Sequence, residues 1–200
     1  MIDATPPIYL TFDDGPDPQW TPRILDLLSA ADARATFFVI GEFVRRRPEL
    51  ARRIVREGHA LGNHTYSHKH PWAIMSRTAR AEVRNGAGAV CDAVGTAPAY
   101  FRPPHGRRRA SMIQEARRLG EGIVMWDVSA IDWGPLGSAD RIARRLSRLK
   151  PRDIVLMHDG RNRRNRPDEL MHVLPVFLGS LRERGLRPEL LPNQAKVCDM

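Results

Sequence analysis

The sequence predicts an α/β fold, a distorted (β/α) barrel of about seven units. Three observations predict it. Strand-like and helix-like segments alternate from one end of the chain to the other. No long linker, repeat period or low-complexity tract interrupts them, so residues 1–200 read as a single domain. Polar residues that carry chemistry fall just past the carboxyl ends of strands, the side where such barrels place their sites. A doubly wound open sheet is the alternative. No Gly-x-Gly-x-x-Gly or Walker-type loop follows a strand, which weakens its nucleotide-binding version.

The elements run in this order. Ile8 to Phe12 is an apolar strand. Thr21 to Ala31 is a helix, with Ile24, Leu27, Leu28 and Ala31 on one face. Ala35 to Ile40 is a buried strand. Pro48 to Glu57 is a helix opened by Pro48 and closed by Gly58. His59 to Gly62 is a short strand. Thr78 to Val94 shows Ala79, Val83, Ala87, Val90 and Val94 on one face. Ala99 to Phe101 is extended and leads into Arg102-Pro103-Pro104. Ser111 to Gln114 resembles a capping box for a helix ending at Gly120. Ile123 to Val128 is a strand, Ser138 caps a helix through Leu149, and Asp153 to Met157 is a strand. Asp168 to Arg184 is a helix with a kink expected at Pro175. A last extended piece covers Arg187 to Leu191.

Bulk properties narrow the class. A chain of 200 residues, 42% hydrophobic and 28% charged, buries a substantial single core. No apolar run reaches the length of a membrane span, so stable membrane insertion is not expected. Residues 1–7 carry no basic segment followed by an apolar one, so a cytoplasmic location is the expectation, with a trimmed export signal as the alternative. Cys91 lies on a helical apolar stripe and suits core packing; Cys198 falls in a frayed tail. The net charge of +9 invites a nucleic-acid reading. The excess is almost all arginine, in clusters such as Arg45 to Arg47, Arg107 to Arg109 and Arg161 to Arg166. None has an interleaved aromatic platform, so a solvated face is favoured over nucleic acid. Attraction to an acidic glycan or lipid surface stays open.

Five groups share the carboxyl rim. Asp13 and Asp14 end the first strand before Gly15-Pro16. Adjacent like charges repel, so a cation or a fixed arginine must relieve them. One acid can hold a cation while the other stays free as a base. His64 and His68 stand four apart; a helical turn would project both rings to one side. Two imidazoles and one carboxylate make a catalytic zinc set, with Asp14 as the natural third ligand. His59 and His70 have the wrong offsets and read as structural or exposed. Arg102, stiffened by Pro103-Pro104, can pair with Asp13 and keep it ionised and aimed. His158 closes an apolar strand and suits a proton donor or a core histidine. Asp132 suits an orienting partner that raises the His158 pKa, or a turn aspartate before Gly134-Pro135. Trp133 and Leu156 suit a small apolar wall or plain core packing equally.

These residues resemble a known family. Thr11-Phe12-Asp13-Asp14-Gly15-Pro16, His64-x-x-x-His68, Arg102-Pro103-Pro104-His105-Gly106, Asp132-Trp133 and Leu156-Met157-His158-Asp159 are similar, in order, to the five motifs of the polysaccharide deacetylases. That family carries the NodB homology domain and forms carbohydrate esterase family 4. The match spans roughly residues 8 to 192 and looks most like the chitooligosaccharide deacetylase branch. The resemblance implies a distorted β/α barrel and metal-dependent removal of acetyl groups from N-acetylated sugars. Carried over by motif, Asp13 is the general base, and Asp14, His64 and His68 bind Zn²⁺ or another divalent transition metal such as Co²⁺ or Ni²⁺. Arg102 tethers Asp13, and His158 is the general acid tuned by Asp132. Trp133 and Leu156 line the pocket for the acetyl methyl. The backbone N–H of His105 stabilises the oxyanion.

Two departures stand out. His105 replaces the family's usual tyrosine, which keeps the backbone donor and alters substrate contacts. Ser129 stands where the family has an acid three residues before Asp132, with Asp127 close by but out of register, so the support around Asp132 differs. The expected partner is an N-acetylated carbohydrate. Two competing readings are an O-acetyl esterase or amidase on a small or lipid-linked substrate, and a non-catalytic glycan- or polyanion-binding protein.

Overall fold

The computed structural model describes residues 5–160, 162, 164–192 and the backbone of 196–197. Its elements are β1 (Pro7–Asp13), α1 (Trp20–Ala30), β2 (Ala35–Val39), α2 (Gly41–Arg46), α3 (Pro48–Arg56), β3 (Ala60–Asn63), α4 (Ser76–Val94), β4 (Thr96–Ala97), β5 (Tyr100–Phe101) and α5 (Ala110–Arg118). They continue with β6 (Gly122–Ile123), β7 (Val128–Ser129), α6 (Ala139–Leu146), β8 (Ile154–His158), α7 (Pro167–Glu183), β9 (Arg187–Pro188) and β10 (Lys196–Val197). No helix among the described residues is long and apolar enough to cross a membrane.

The main sheet has the order β6-β5-β3-β2-β1-β8-β7, with β9 added to β1, and its pairings are parallel. Seven parallel strands curl into a half-barrel with helices outside. This is the predicted distorted barrel rather than an open doubly wound sheet. β1 is buried on both faces: Ile8, Leu10 and Phe12 on one are fully buried, as is Thr11 on the other, and Phe12 stacks on Phe37 of β2 at 5.1 Å. The same core takes Ile24, Leu25 and Leu28 of α1 and Leu170, Leu174 and Leu181 of α7. The register puts Asp13 beside Phe38 on one side and His158 on the other. The packing of this core therefore sets the position of the first acid.

Several local expectations are corrected by long-range contacts. The strand expected at Ile123 to Val128 is divided. Its first part pairs with β5 and its last part with β8, at opposite ends of the sheet. The carbonyls of Val124 and Met125 between them accept from Arg102 instead of a neighbouring strand. Ser111 does not cap α5; it lies inside the helix, which starts after Arg109. Ser138 does occupy the N-cap of α6, but Glu169 of α7 receives the Ala139 N–H at 2.9 Å. Pro175 lies inside α7, as expected. The segment Gly41–Arg46, left outside the predicted elements, is helical because the Gly41 and Glu42 N–H groups bond to Thr65 and Tyr66 carbonyls. Cys91 is not a plain core thiol: it is half-buried and disulfide-bonded. Antiparallel pairing of β10 with β4 carries the end of the chain back to the end of α4. Cys198 lies outside the described residues.

Candidate active site at the carboxyl rim

A cavity of about 680 Å³ opens at the carboxyl ends of the strands. Asp13, Asp14, His64, His68, His158 and Leu156 are among its lining residues, together with Trp133 and His105. Strict strand alternation would send the two acids apart. Asp14 instead takes a left-handed backbone, φ 74°, which ends β1 and leaves both carboxylates in one cavity. Gly15 and Gly160 allow this. A Cβ on Gly15 would lie 2.1 Å from Asp159 Oδ2, and one on Gly160 would lie 2.0 Å from the Asp14 carbonyl. Asp159 itself turns away from the cavity, takes the Thr21 hydroxyl at 2.5 Å, and is pushed up to about 7 by burial.

Residues 64–68 do not form the expected helical turn. Thr65 and His68 are both left-handed, φ 69° and 54°. Side chains shape the loop: Asn63 Oδ1 accepts the Thr65 N–H at 3.0 Å, and Thr65 Oγ1 accepts the His68 N–H at 3.1 Å. Glu82 of α4 accepts both the Ser67 N–H and its hydroxyl. The rings of His64 and His68 meet all the same, with centroids 4.9 Å apart. His64 Nδ1 donates to the Arg102 carbonyl at 2.7 Å, so the bare lone pair is on Nε2. That nitrogen lies 3.5 Å from Asp14 Oδ1, and His68 Nε2 lies 3.2 Å from it. Asp14 Oδ1 is buried without a hydrogen-bond donor. The three ligand atoms lie within 4.8 Å of one another. A bare carboxylate oxygen facing two imidazole nitrogens fits a divalent transition metal. Burial holds His68 down at about 4, so its ring is neutral near pH 7. Burial alone would raise Asp14; the imidazoles of His64, His68 and His158 more than offset it and hold the carboxyl far below its usual range.

Arg102 is fully buried. Its Nη1 donates to Asp13 Oδ1 at 2.7 Å and to Thr11 Oγ1 at 2.8 Å; Nε and Nη2 donate to the Val124 and Met125 carbonyls. The guanidinium carbon lies 4.0 Å from the Phe38 ring centroid. Asp13 is thus aimed by one oxygen, while its Oδ2 lies 3.7 Å from His64 Nε2. His158 is held twice by Asp132, through its backbone N–H at 2.7 Å and Nδ1 at 2.8 Å. Burial would lower its pKa, but the Asp132 carboxylate raises it to about 9. Ser129 and Asp127 bond elsewhere: Ser129 Oγ accepts from Ile131 N–H, and Asp127 Oδ2 from Ile154 N–H. The backbone carries Asp132 in their stead, through its carbonyl and the Arg166 N–H at 2.7 Å. The Trp133 ring stands edge-on to His158 at 5.2 Å.

His105 sits at the mouth with φ 56°, its ring 4.6 Å from His68 and 5.2 Å from His70. His70 is exposed as expected, yet it lines the cavity; His59 is structural, accepting the Ala35 N–H. Several other residues at the site belong to no motif in the sequence. Asn162 and Asn165 donate to Asp14 Oδ2 at 2.9 and 2.7 Å, leaving Oδ1 as the bare oxygen. Their three-residue spacing in the loop after β8 was the only local signal. Trp126 lines the cavity, and Glu121, raised to about 8 by burial, backs Asn63 at 3.0 Å.

Fold and site together define a (β/α) half-barrel whose carboxyl rim gathers an arginine-paired carboxylate, a carboxylate-paired imidazole and three residues that could hold a metal ion. The chain matches the sequence model of the polysaccharide deacetylase family over residues 3–123. It is 34% identical over 205 residues to a chitooligosaccharide deacetylase of Bradyrhizobium sp., covering 96% of this chain and 92% of that protein. It is 34% identical over 189 residues to a peptidoglycan-N-acetylglucosamine deacetylase of Bacillus cereus, covering 93% and 67%. Among solved structures, the family 4 carbohydrate esterase from Streptomyces lividans in complex with acetate superposes with a TM-score of 0.85 at 30% identity, covering 98% of each chain. The chain belongs to the polysaccharide deacetylase family, the family 4 carbohydrate esterases.

Proposed function

We propose that this chain is a metal-dependent hydrolase that removes N-acetyl groups from N-acetylglucosamine-containing oligosaccharides, polysaccharides or glycoconjugates, releasing acetate. One juxtaposition carries the reading: an arginine-tethered carboxylate and a carboxylate-charged imidazolium line one cavity with the Asp14, His64 and His68 cradle. Those three residues would hold the ion, Zn²⁺ or a similar transition metal such as Co²⁺ or Ni²⁺. When bound, it supplies Lewis-acid polarisation of the acetamide carbonyl and of the attacking water. Asp13, aimed by Arg102, takes the proton from that water as its oxygen attacks the carbonyl carbon. His158, positively charged near neutral pH, gives its Nε2 proton to the nitrogen as the C–N bond breaks. Acetate and a free amino sugar remain. Trp133 and Leu156 would wall the methyl group, and the His105 N–H would donate to the developing oxyanion.

A panel of N-acetylated oligosaccharides and glycoconjugates, read by mass loss of acetyl with and without chelator, tests the activity. Acetate release that persists at full rate after the metal is stripped would sink the metal-dependent reading. His68→Ala removes one of three ligand atoms, and its zinc content after dialysis should fall well below one ion per chain. Full occupancy in that variant counts against the ligand set.

The acid assignment has its own signature. His158 titrates near 9, so turnover should be lost as pH rises through about 9. In Asp132→Asn the charge that raises this pKa is gone, and the alkaline limit should move down by roughly 1–3 units. An alkaline limit that stays in place in this variant would show that another group sets it.

A further inference from the structure

Two arginine clusters, far apart in sequence, reach the same cavity. Of Arg107 to Arg109, the third is occupied: its guanidinium donates to the Pro71 and Ile74 carbonyls and to Ser76 Oγ. Of the cluster after β8, Arg166 pairs with Glu169 at 3.2 Å. Arg161 and Arg163 lie outside the described residues. Arg107, in the loop after β5, and Arg164, in the loop after β8, differ from these. Both are exposed, both line the cavity, and neither side chain has an ion-pair or hydrogen-bond partner among the described residues. Arg164 lies close enough to His105 for its charge to help push that imidazole down, behind burial, His70 and His64.

The acids of the cavity do not answer these charges. Asp13 and Asp14 are the only carboxylates among its described lining residues. Asp13 is spent on Arg102, and Asp14 faces His64 and His68. A bound divalent ion would make the cavity more positive still. A cleft with an excess of positive groups, walled by Trp126, Trp133 and Leu156, focuses its field on an entering ligand. A neutral acetamido sugar offers two unpaired guanidiniums only neutral hydroxyl and carbonyl acceptors, whereas an anionic oxygen group offers them the stronger charge-assisted hydrogen bonds.

We propose that the preferred substrate is an N-acetylated saccharide bearing an anion, a carboxylate or a phosphate, near the sugar to be deacetylated, and that Arg107 and Arg164 receive that anion. The proposal rests on the deacetylase reading above and names its substrate class.

The test compares kcat/KM for three matched disaccharides: neutral N,N′-diacetylchitobiose, its 1-phosphate, and N-acetylglucosaminyl-N-acetylmuramic acid with its lactyl carboxylate. The zinc-loaded wild-type chain should favour at least one anionic substrate about tenfold, the scale of two partly exposed ion pairs. Which one it favours separates phosphate from carboxylate. The anionic-to-neutral ratio should fall towards one in Arg107→Gln/Arg164→Gln and shrink as ionic strength rises from about 0.05 to 0.5 M. Both side chains are exposed, so the double variant should fold. A wild-type ratio near one, or a preference that survives in the double variant, overturns the proposal. Calorimetric binding of the same three ligands to zinc-loaded Asp13→Asn reads the preference even without turnover. Absence of acetate from every arm would refute the deacetylase reading, and the binding ratios would still decide the role of the two arginines.

Discussion

Asp13→Asn should keep its metal and lose turnover by roughly 10²–10⁴. The substitution is nearly isosteric and changes charge at one buried position. The amide oxygen can still accept from Arg102, so the geometry recorded at 2.7 Å has no reason to break. What disappears is a basic oxygen at the position of Oδ2, which the cavity offers to water beside His64. Asp14, His64 and His68 are untouched, so zinc content measured by atomic emission should match that of the wild type. Activity and metal content therefore separate the base from a metal ligand: Asp13→Asn loses the first only, and His68→Ala loses both. An Asp13→Asn enzyme with wild-type turnover would leave the base unassigned.

Arg102→Met should cost about 3–5 kcal/mol of stability. The guanidinium is fully buried and serves four oxygens at once, on Asp13, Thr11, Val124 and Met125. Methionine fills part of the volume but leaves the Asp13 charge buried without its counter-ion and two carbonyls without donors. For a chain of 200 residues this corresponds to a fall in melting temperature of roughly 10 °C. Adding Asp13→Asn to Arg102→Met should restore part of the loss, because the uncompensated charge is then gone. Strict additivity in that double-mutant cycle, or a melting point within about 2 °C of wild type, would mean the ion pair is not what holds the centre of the rim.

Much of this was readable locally. Apolar runs such as Ile8 to Phe12 and Ala35 to Ile40 announce parallel strands, because a strand buried on both faces has no polar alternation. The helical stripes of Thr21 to Ala31 and Thr78 to Val94 are equally local. Asp14, His64, His68, Arg102, Asp132 and His158 were visible because each lies within a few residues of a strand end. Asn162 and Asn165 were not, since an asparagine in an arginine-rich loop looks like any solvated turn until the fold brings Asp14 against it.

Short-range periodicity determined the order of strands and helices, and the residue types at the strand ends determined which chemistry the rim could carry. The tertiary structure alone decided how those residues meet. It split Ile123 to Val128 between two ends of the sheet, because the Val124 and Met125 carbonyls answer a guanidinium more than 20 residues away in sequence. It turned the His64 loop left-handed against the Glu82 side chain, and it gave Asp14 one saturated oxygen and one bare one. The physical reason is common to all three. Hydrogen-bond partners and charges act over a few ångströms of space, and only folding sets which distant residues lie within that range.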